Sequence, residues 1–279
     1  MAGVLYLCAT PIGNLEDMTF RAVRILKEVD LIAAEDTRNS IKLLNHFEIK
    51  TPMTSYHEFN KYDKAKYLVN ELLDGRNVAV ITDAGMPGIS DPGEELVKLA
   101  HEAGITVTAV PGACACVSAL TISGRETRRF AFEAFLPADK KERSMVLKTI
   151  EADTRTTVIY EAPHRLLKTL KELLEVLGDR NITICRELTK KHEQVFLTTI
   201  SEAVAYYEEN EPKGECVIVI SGKDIEAVRA EEVQKWESMT LNEHMEYYMS
   251  QGMDKKQAMK SVAADRGISK RDVYKELLE

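Results

Sequence analysis

The stretch Asp83-Ala84-Gly85-Met86-Pro87-Gly88-Ile89-Ser90-Asp91-Pro92-Gly93 holds three glycines and two prolines in eleven residues. It can be neither helix nor ladder, because proline fixes φ and lacks an N–H while glycine opens φ > 0 and lets a neighbour approach the backbone closely. Before it, Val78–Thr82 reads as a buried strand; after it, Glu94–Ala103 has helical spacing. A strand-to-helix connection needs only about two to six residues, so this segment reads as a stiff cradle of backbone N–H and C=O groups. In an open parallel sheet, ligands bind outside the carboxyl ends of the strands. The loop therefore predicts both a parallel α/β sheet and the place of its site.

The flanking sequence repeats the alternation. Val4–Cys8, Leu31–Ala34, Met53–Tyr56 and Thr106–Val110 read as strands. Phe20–Val29 reads as a helix with Phe20, Val23, Ile25 and Leu26 on one face and Asp17 or Thr19 as its N-cap, and Lys64–Leu73 as another. Gly75 and Gly104 stand where helices should stop. The polar, basic run Ser123–Arg129 reads as a linker to a second α/β region. There Phe130–Leu136, Thr157–Tyr160, Ile182–Cys185, Gln194–Thr198 and Cys216–Ser221 are strand-like, and Lys141–Ile150, Leu166–Leu177 and Ser201–Glu208 are helical. A charged tether, Asp224–Lys235, precedes a purely helical pattern. Leu241–Ser250 forms one helix, Asp254 caps a second through Arg266, and Ser269 caps a third to Leu278. Two helices joined at Gly267-Ile268 fit a helix-turn-helix with Lys270, Arg271 and Lys275 near the start of its last helix. The alternative is a small helical cap with a solvated basic face. These readings divide the chain into α/β domains at residues 1–122 and 123–224 and a helical module at 238–279.

Composition narrows the class. A chain of 279 residues with 44% hydrophobic and 29% charged residues is globular, and no apolar run approaches the roughly 20 residues of a membrane span. Its five cysteines are scattered and lack a paired zinc-site spacing, so no metal is expected and a reducing cytoplasm is. The net charge of −8 speaks against general coating of nucleic acid but leaves room for local basic surfaces. Residues 254–275, with seven Lys/Arg against three Asp/Glu, are the strongest of these.

Two further loops end predicted strands. Ala9-Thr10-Pro11-Ile12-Gly13-Asn14 lacks the three glycines of a dinucleotide fingerprint, which disfavours NAD or FAD. Val110-Pro111-Gly112-Ala113-Cys114-Ala115 opens a helix. Glycine and proline could merely punctuate turns, but three such loops at strand ends of one domain favour a ligand site.

Leu7–Leu15, Ala34-Glu35-Asp36-Thr37-Arg38, Ser55-Tyr56-His57-Glu58, Thr82–Gly93 and Tyr160-Glu161-Ala162-Pro163-His164-Arg165 together resemble the tetrapyrrole-methylase superfamily. Within it they are most similar to the branch that methylates small-subunit ribosomal RNA. The resemblance runs from about Val4 to Gly222. It implies two α/β domains, usually in a homodimer, with S-adenosylmethionine folded into the cleft between them. It also implies transfer to the ribose 2′-hydroxyl of a cytidine in 16S rRNA. Cofactor contacts carry over to Thr10, Pro11, Asp83, Ala84, Gly85, Pro87, Ser90, Pro111, Gly112, Ala113, Phe135, Glu161, Ala162, Pro163, Gly214 and Glu215. Cys114 departs from the serine of many relatives, and a thiol is a weak donor.

A ribose hydroxyl is a poor nucleophile, so a base and in-line positioning are expected. Asp36, Arg38, His57 and Glu58 are the catalytic candidates, with Glu35 beside them and Glu187, Lys190, Lys191, His192 and Glu193 as a second polar set. The structural alternatives are a helix N-cap for Asp36, an ion pair for Arg38 and a satisfied half-buried ring for His57. Arg38, Arg165, Lys190, Lys191, Lys270 and Arg271 are the expected RNA contacts. Two other readings stay open. One is methylation of a tetrapyrrole carbon, and the other is a non-enzymatic regulator that senses a ligand and binds DNA.

Overall fold

The computed structural model describes residues 1–226, 228, 236 and 238–277. Most of the Asp224–Lys235 tether, and Leu278, lie outside the described residues. The chain forms two compact units: residues 1–151 with 155–221, and residues 152–154 with 222–279.

The first unit contains two five-stranded sheets. In the first sheet, β1 (Val4–Cys8), β2 (Leu31–Ala34), β3 (Met53–Ser55), β4 (Val78–Ile81) and β5 (Thr106–Val110) are all parallel, in the order β3-β2-β4-β1-β5. Every residue of β2 and β4 is buried, as expected where helices cover both faces. One face packs Leu5, Leu7, Val78 and Val80 against Leu68, Leu72 and Leu96 of α3 (Lys61–Leu73) and α4 (Glu94–Glu102). The other packs Ile32, Ala34 and Ile81 against Ile25 and Leu26 of α1 (Phe20–Glu28) and Leu44 of α2 (Thr37–His46).

Thr19, not Asp17, caps α1, its hydroxyl accepting from Ala22 N at 3.1 Å. The helix turns Ala22, Ile25 and Leu26 inward and leaves Phe20 97% exposed, which corrects the face expected from the sequence. At the first position of a helix the side chain precedes the packed turns, so apolar spacing alone does not bury it. The helix α2, of which only the cap is legible in the sequence, starts at Thr37 behind Asp36, which accepts from Arg38 N at 2.8 Å.

The second sheet has the order β6-β7-β10-β8-β9, from β6 (Phe130–Phe135), β7 (Thr156–Glu161), β8 (Asn181–Arg186), β9 (Gln194–Thr199) and β10 (Cys216–Ile220). Only β6 and β7 are parallel; the other pairs are antiparallel. A register shift between Phe132 and Ala134, with Ala134 at φ +51°, bends β6. One face is covered by α6 (Lys140–Ala152), α7 (Pro163–Leu177) and α8 (Ile200–Glu209). Pro163 opens α7 three residues earlier than the apolar periodicity indicates, since proline suits a first turn whose N–H groups have no partner anyway. On the opposite face, Cys116, Ala119 and Leu120 of α5 (Ala115–Ile122) pack on Val158, Cys185, Val217 and Val219. A helix that leaves the first sheet is thereby buried against the second, which fastens the two lobes of this unit.

In the second unit, α9 (Leu241–Ser250), α10 (Lys255–Asp265) and α11 (Lys270–Glu276) each begin with a reciprocal capping box, at Thr240, Asp254 and Ser269. Leu241, Met245, Ala258, Val262 and Val273 form their core. His244, fully buried, meets Asp265 Oδ2 through Nε2 at 3.2 Å, accepts from Arg266 Nε at Nδ1, also at 3.2 Å, and stacks on Trp236 at 4.0 Å. No described helix is long and apolar enough to cross a membrane.

Candidate functional site

The carboxyl ends of β2 and β4, the loop after β1 and the start of α5 face the second sheet across a cavity of about 350 Å3. From the first lobe it is lined by Ile12, Glu35, Asp83, Ala84, Gly85, Met86, Ile89, Ser90, Asp91, Cys114 and Ala115. The second lobe contributes Phe135, the run Tyr160 to Pro163, Cys185, Leu188, Glu215, Cys216 and Val217. The volume lies within the range of small-molecule sites, which are mostly apolar with a few placed polar groups.

The three glycine-rich loops brace one another. Thr10 N donates to Gly85 O at 2.9 Å, Gly85 N donates to Thr10 O at 3.1 Å, and the Thr10 hydroxyl donates to Thr82 O at 3.0 Å. Gly85 holds φ +87° inside this bridge, a conformation that a branched side chain resists. Farther along, Ser90 sits at φ +70° without being glycine; such strain persists only where the surroundings enforce it, commonly at ligand sites. A methyl group on Gly112 would lie 2.8 Å from Ala9 Cβ, so the third loop rests directly on the first.

The charge on this wall is uniform. Glu35 Oε2 accepts from Asp83 N at 3.3 Å, and Asn39 Nδ2 donates to Asp83 Oδ2 at 3.0 Å. Burial raises the Asp91 carboxyl from 3.8 to about 7, helped by Glu35 and Asp83. Burial also raises Glu35, an effect partly offset by the Asp83 amide. A cation in the cavity would relieve this crowding, and a sulfonium is a cation without a proton to lose.

The second lobe's carboxylates are matched instead. Glu161, fully buried, accepts from Ala162 N at 2.9 Å, Arg165 Nε at 2.7 Å and Thr169 Oγ1 at 2.5 Å. Lys190 Nζ donates to Glu187 Oε1 and Glu215 Oε2, each at 3.0 Å, while Glu187 Oε1 also accepts from Glu215 N at 3.1 Å. Burial raises Glu187, but Lys190 and the Glu215 amide outweigh it and hold the carboxyl below its usual range. A side chain on Gly13 would overlap the Lys190 stem, and one on Gly214 would overlap Glu187. Lys190 is thus a clasp between the first loop and the second sheet. Burial likewise lifts the Tyr160 phenol well above its ordinary range, and its oxygen accepts from Cys116 N at 3.0 Å.

Of the residues expected to hold the cofactor, Asp83, Ala84, Gly85, Ser90, Phe135, Glu161, Ala162, Pro163 and Glu215 line the cavity. Thr10, Pro11, Pro87, Pro111, Gly112, Ala113 and Gly214 are not among its walls; Thr10, Gly112 and Gly214 act behind them, through the contacts above. Sequence reasoning missed Asp91, Tyr160, Cys185, Leu188 and Val217 as wall residues. The signal for Asp91 was its place in the quoted loop; the strand residues depend on a register no single sequence displays. Glu35 had a signal, as the residue next after β2.

The four catalytic candidates occupy different situations. Asp36 is an N-cap and forms a forked pair with Arg38 at 3.0 and 2.7 Å, and that side-chain contact draws its carboxyl down to about 2. Arg38 is otherwise exposed. Glu58 accepts from Lys61 Nζ at 2.5 Å. His57 is half-buried, and its shielded Nδ1 has no hydrogen-bond partner among the described residues. Lys191, Lys270 and Arg271 are exposed.

A parallel sheet and a mixed sheet facing each other across a loop-lined cavity define a two-lobed α/β protein with a ligand-sized site between its lobes. Residues 4–204 match the family of Tetrapyrrole (Corrin/Porphyrin) Methylases. The chain belongs to that family and is a methyltransferase whose methyl donor is S-adenosylmethionine. It is 51% identical over 272 residues to a "Ribosomal RNA small subunit methyltransferase I" of Halalkalibacterium halodurans, covering 98% of this chain and 93% of the relative. A Bacillus subtilis protein of the same name is 48% identical over the same shares of the two chains. Among solved structures, the uroporphyrin-III C-methyltransferase of Thermus thermophilus complexed with S-adenyl homocysteine superposes with a TM-score of 0.55 at 20% identity, over 78% of this chain and 96% of that one. A diphthine synthase gives 0.60 at 11% identity, over 78% and 89%. At such identities these two structures establish the fold alone.

Proposed function

We propose that this methyltransferase acts on ribosomal RNA of the small subunit and methylates the ribose 2′-hydroxyl of a cytidine in 16S rRNA. The observation that carries the reading is similarity over 98% of the chain to proteins named for small-subunit rRNA methylation. The site's chemistry agrees with it. When bound, S-adenosylmethionine supplies an electrophilic methyl on a sulfonium. The wall of Glu35, Asp83 and Asp91 favours that positive charge, the Thr10–Gly85 bridge holds the backbone open for close approach, and Phe135 offers a ring at the rim.

Proton removal falls to His57 among the four candidates. Asp36 is too acidic and is held by Arg38, and Glu58 is held by Lys61. His57 Nδ1 has no hydrogen-bond partner among the described residues, so its ring, unlike the other two side chains, is not committed to an ion pair. Arg38, Arg165, Lys191, Lys270 and Arg271 meet phosphates, whereas Lys190 holds loops together. A second copy of the chain fits the apolar surface of Val117 and Ile122 on α5 and Val195 and Leu197 on β9, all exposed; light scattering tests this homodimer. The setting we propose is cytoplasmic.

The deciding experiment maps 2′-O-methyl groups on 16S rRNA from a deletion strain, where loss of one modified cytidine is expected and an unchanged map refutes the reading. A companion assay compares 30S particles, naked 16S rRNA and a short hairpin. Turnover should be highest on the particle, because an acidic chain draws affinity from a folded surface more than from phosphate density. Deleting residues 238–279 should weaken RNA association and flatten its salt dependence while leaving cofactor affinity intact.

A further inference from the structure

The start of α3 carries a feature that neither core packing nor the cofactor cavity uses. In His57-Glu58-Phe59-Asn60-Lys61-Tyr62-Asp63-Lys64-Ala65-Lys66-Tyr67, aromatic and cationic residues interleave. The helix buries Ala65, Leu68 and Leu72. Tyr62 and Lys66, four apart, share an exposed side of it, and Phe59 stands in the turn just before it; Phe59 is 98% and Tyr62 62% exposed, and Tyr67 is also exposed. Lys64 Nζ lies 4.1 Å from the Tyr67 ring centre and Lys61 Nζ 5.3 Å from that of Tyr62. Two acids share the segment: Glu58 is neutralised by Lys61 at 2.5 Å, and Asp63 leaves a small positive excess.

The strip is continuous with the cavity rim. Ala34 pairs with Ser55 in the parallel ladder, and Tyr56 N donates to Ala34 O at 2.7 Å. One residue past each of these stand Glu35, a wall of the cavity, and His57, whose ring meets Phe59 edge-on at 6.1 Å. Exposed rings flanked by ammonium groups are the pattern by which proteins hold unpaired nucleic acid. The bases stack on the rings and the cations follow the backbone, without reading sequence.

We infer that Phe59, Tyr62 and Tyr67, with Lys64 and Lys66, form a stacking platform for single-stranded RNA next to the nucleotide that enters the cavity. This rests on the rRNA reading above and adds the surface that holds the substrate strand open. A nucleotide stacked and paired in a helix cannot enter a recessed cavity, so a platform beside the rim keeps the flanking bases splayed while the reacting nucleotide is presented.

The test compares wild type with Phe59→Ala, Tyr62→Ala and Phe59→Tyr. Three readouts are taken: methylation kinetics on naked 16S rRNA and on 30S particles, cofactor affinity by calorimetry, and binding of a fluorescein-labelled single-stranded oligoribonucleotide. Each alanine variant should raise the RNA KM about tenfold and weaken oligonucleotide binding similarly, the effect of removing one stacking ring. Its kcat should stay within about twofold, its cofactor affinity should not change, and Phe59→Tyr should restore KM. Both rings are exposed, so the alanine variants should keep the wild-type melting temperature, which is measured alongside. Unchanged KM and oligonucleotide affinity in the alanine variants would overturn the platform. So would a defect on 30S particles alone, which would mean that the face meets a ribosomal protein. If wild type fails to methylate 16S rRNA at all, the rRNA reading falls, and oligonucleotide binding by the variants still decides whether the strip holds RNA.

Discussion

The two walls of the cavity treat acidic residues in opposite ways. On the first lobe, Glu35, Asp83 and Asp91 crowd together, and burial raises both Glu35 and Asp91 above the ordinary carboxylate range. On the second, Glu161 meets Arg165, and Glu187 and Glu215 share Lys190. An unmatched group of carboxylates costs stability, and it persists where a ligand of opposite charge completes it. Matched carboxylates hold elements in place. We therefore propose that the first wall recognises the cofactor's charge and that the second keeps the cavity's shape.

The largest test of that division is Gly85→Val. With φ at +87° and the Thr10 bridge on both sides of its peptide, a β-branched residue must displace the loop. Cofactor affinity should fall by about a hundredfold or more, which corresponds to roughly 3 kcal/mol. Unchanged affinity in calorimetry would separate this loop from the cofactor altogether.

Glu161→Ala probes the other wall and should act on stability first. It strips a buried acceptor from the Thr169 hydroxyl and the Ala162 amide, at about 2–3 kcal/mol in urea unfolding. Arg165, a third exposed, is rescued by water and adds little. Should the variant keep its stability and lose only cofactor, Glu161 would belong with the recognising wall and the contrast would fail.

A pH titration sharpens the contrast at Asp91. Folding raises this carboxyl from 3.8 to about 7. The folded state thus keeps a proton that the unfolded chain releases above about pH 4, so wild type loses stability relative to Asp91→Asn between about pH 4 and 7. Cofactor binding has the opposite sign. A cation favours the ionised carboxyl, so wild-type affinity should climb as pH rises towards 7 and level off above it, while Asp91→Asn shows a flatter profile. Parallel affinity profiles for the two proteins would remove Asp91 from the cofactor's surroundings.

The smallest effect belongs to Arg38→Ala. The side chain is 88% exposed and its ion pair among the described residues is with Asp36, so the melting temperature should hardly change. Methylation should slow several-fold through weaker phosphate contact, with cofactor affinity unaltered. A matching loss of cofactor affinity would show that the Asp36–Arg38 pair supports the first wall instead of the substrate.

Much of this is legible in the residues alone. The first sheet's strands appear as β-branched runs because burial on both faces requires continuous apolar sequence. The cradle loops appear because their backbone geometry demands glycine and proline. Other features resisted reading. Phe20 carries the helical spacing of a core residue yet points to water, since which turn of α1 meets the sheet is settled by packing. The carboxylate partners of Arg38, Arg165 and Lys190 are a second such feature, and for Arg165 and Lys190 a partner lies on a wall of the cavity.

The sequence by itself determined the alternation of strands and helices apart from α2, the three strand-end loops and the caps at Asp254 and Ser269, because all of these follow from local backbone preference and short-range periodicity. Only the tertiary structure decided that the second sheet is mixed, that Cys185 and Val217 stand beside Tyr160 and Glu161 on one wall, and that Glu35 crowds Asp83 and Asp91. Strand pairing and electrostatic fields depend on distances between residues far apart in the chain, and such distances exist only after α5 has packed on the second sheet and drawn the two lobes together.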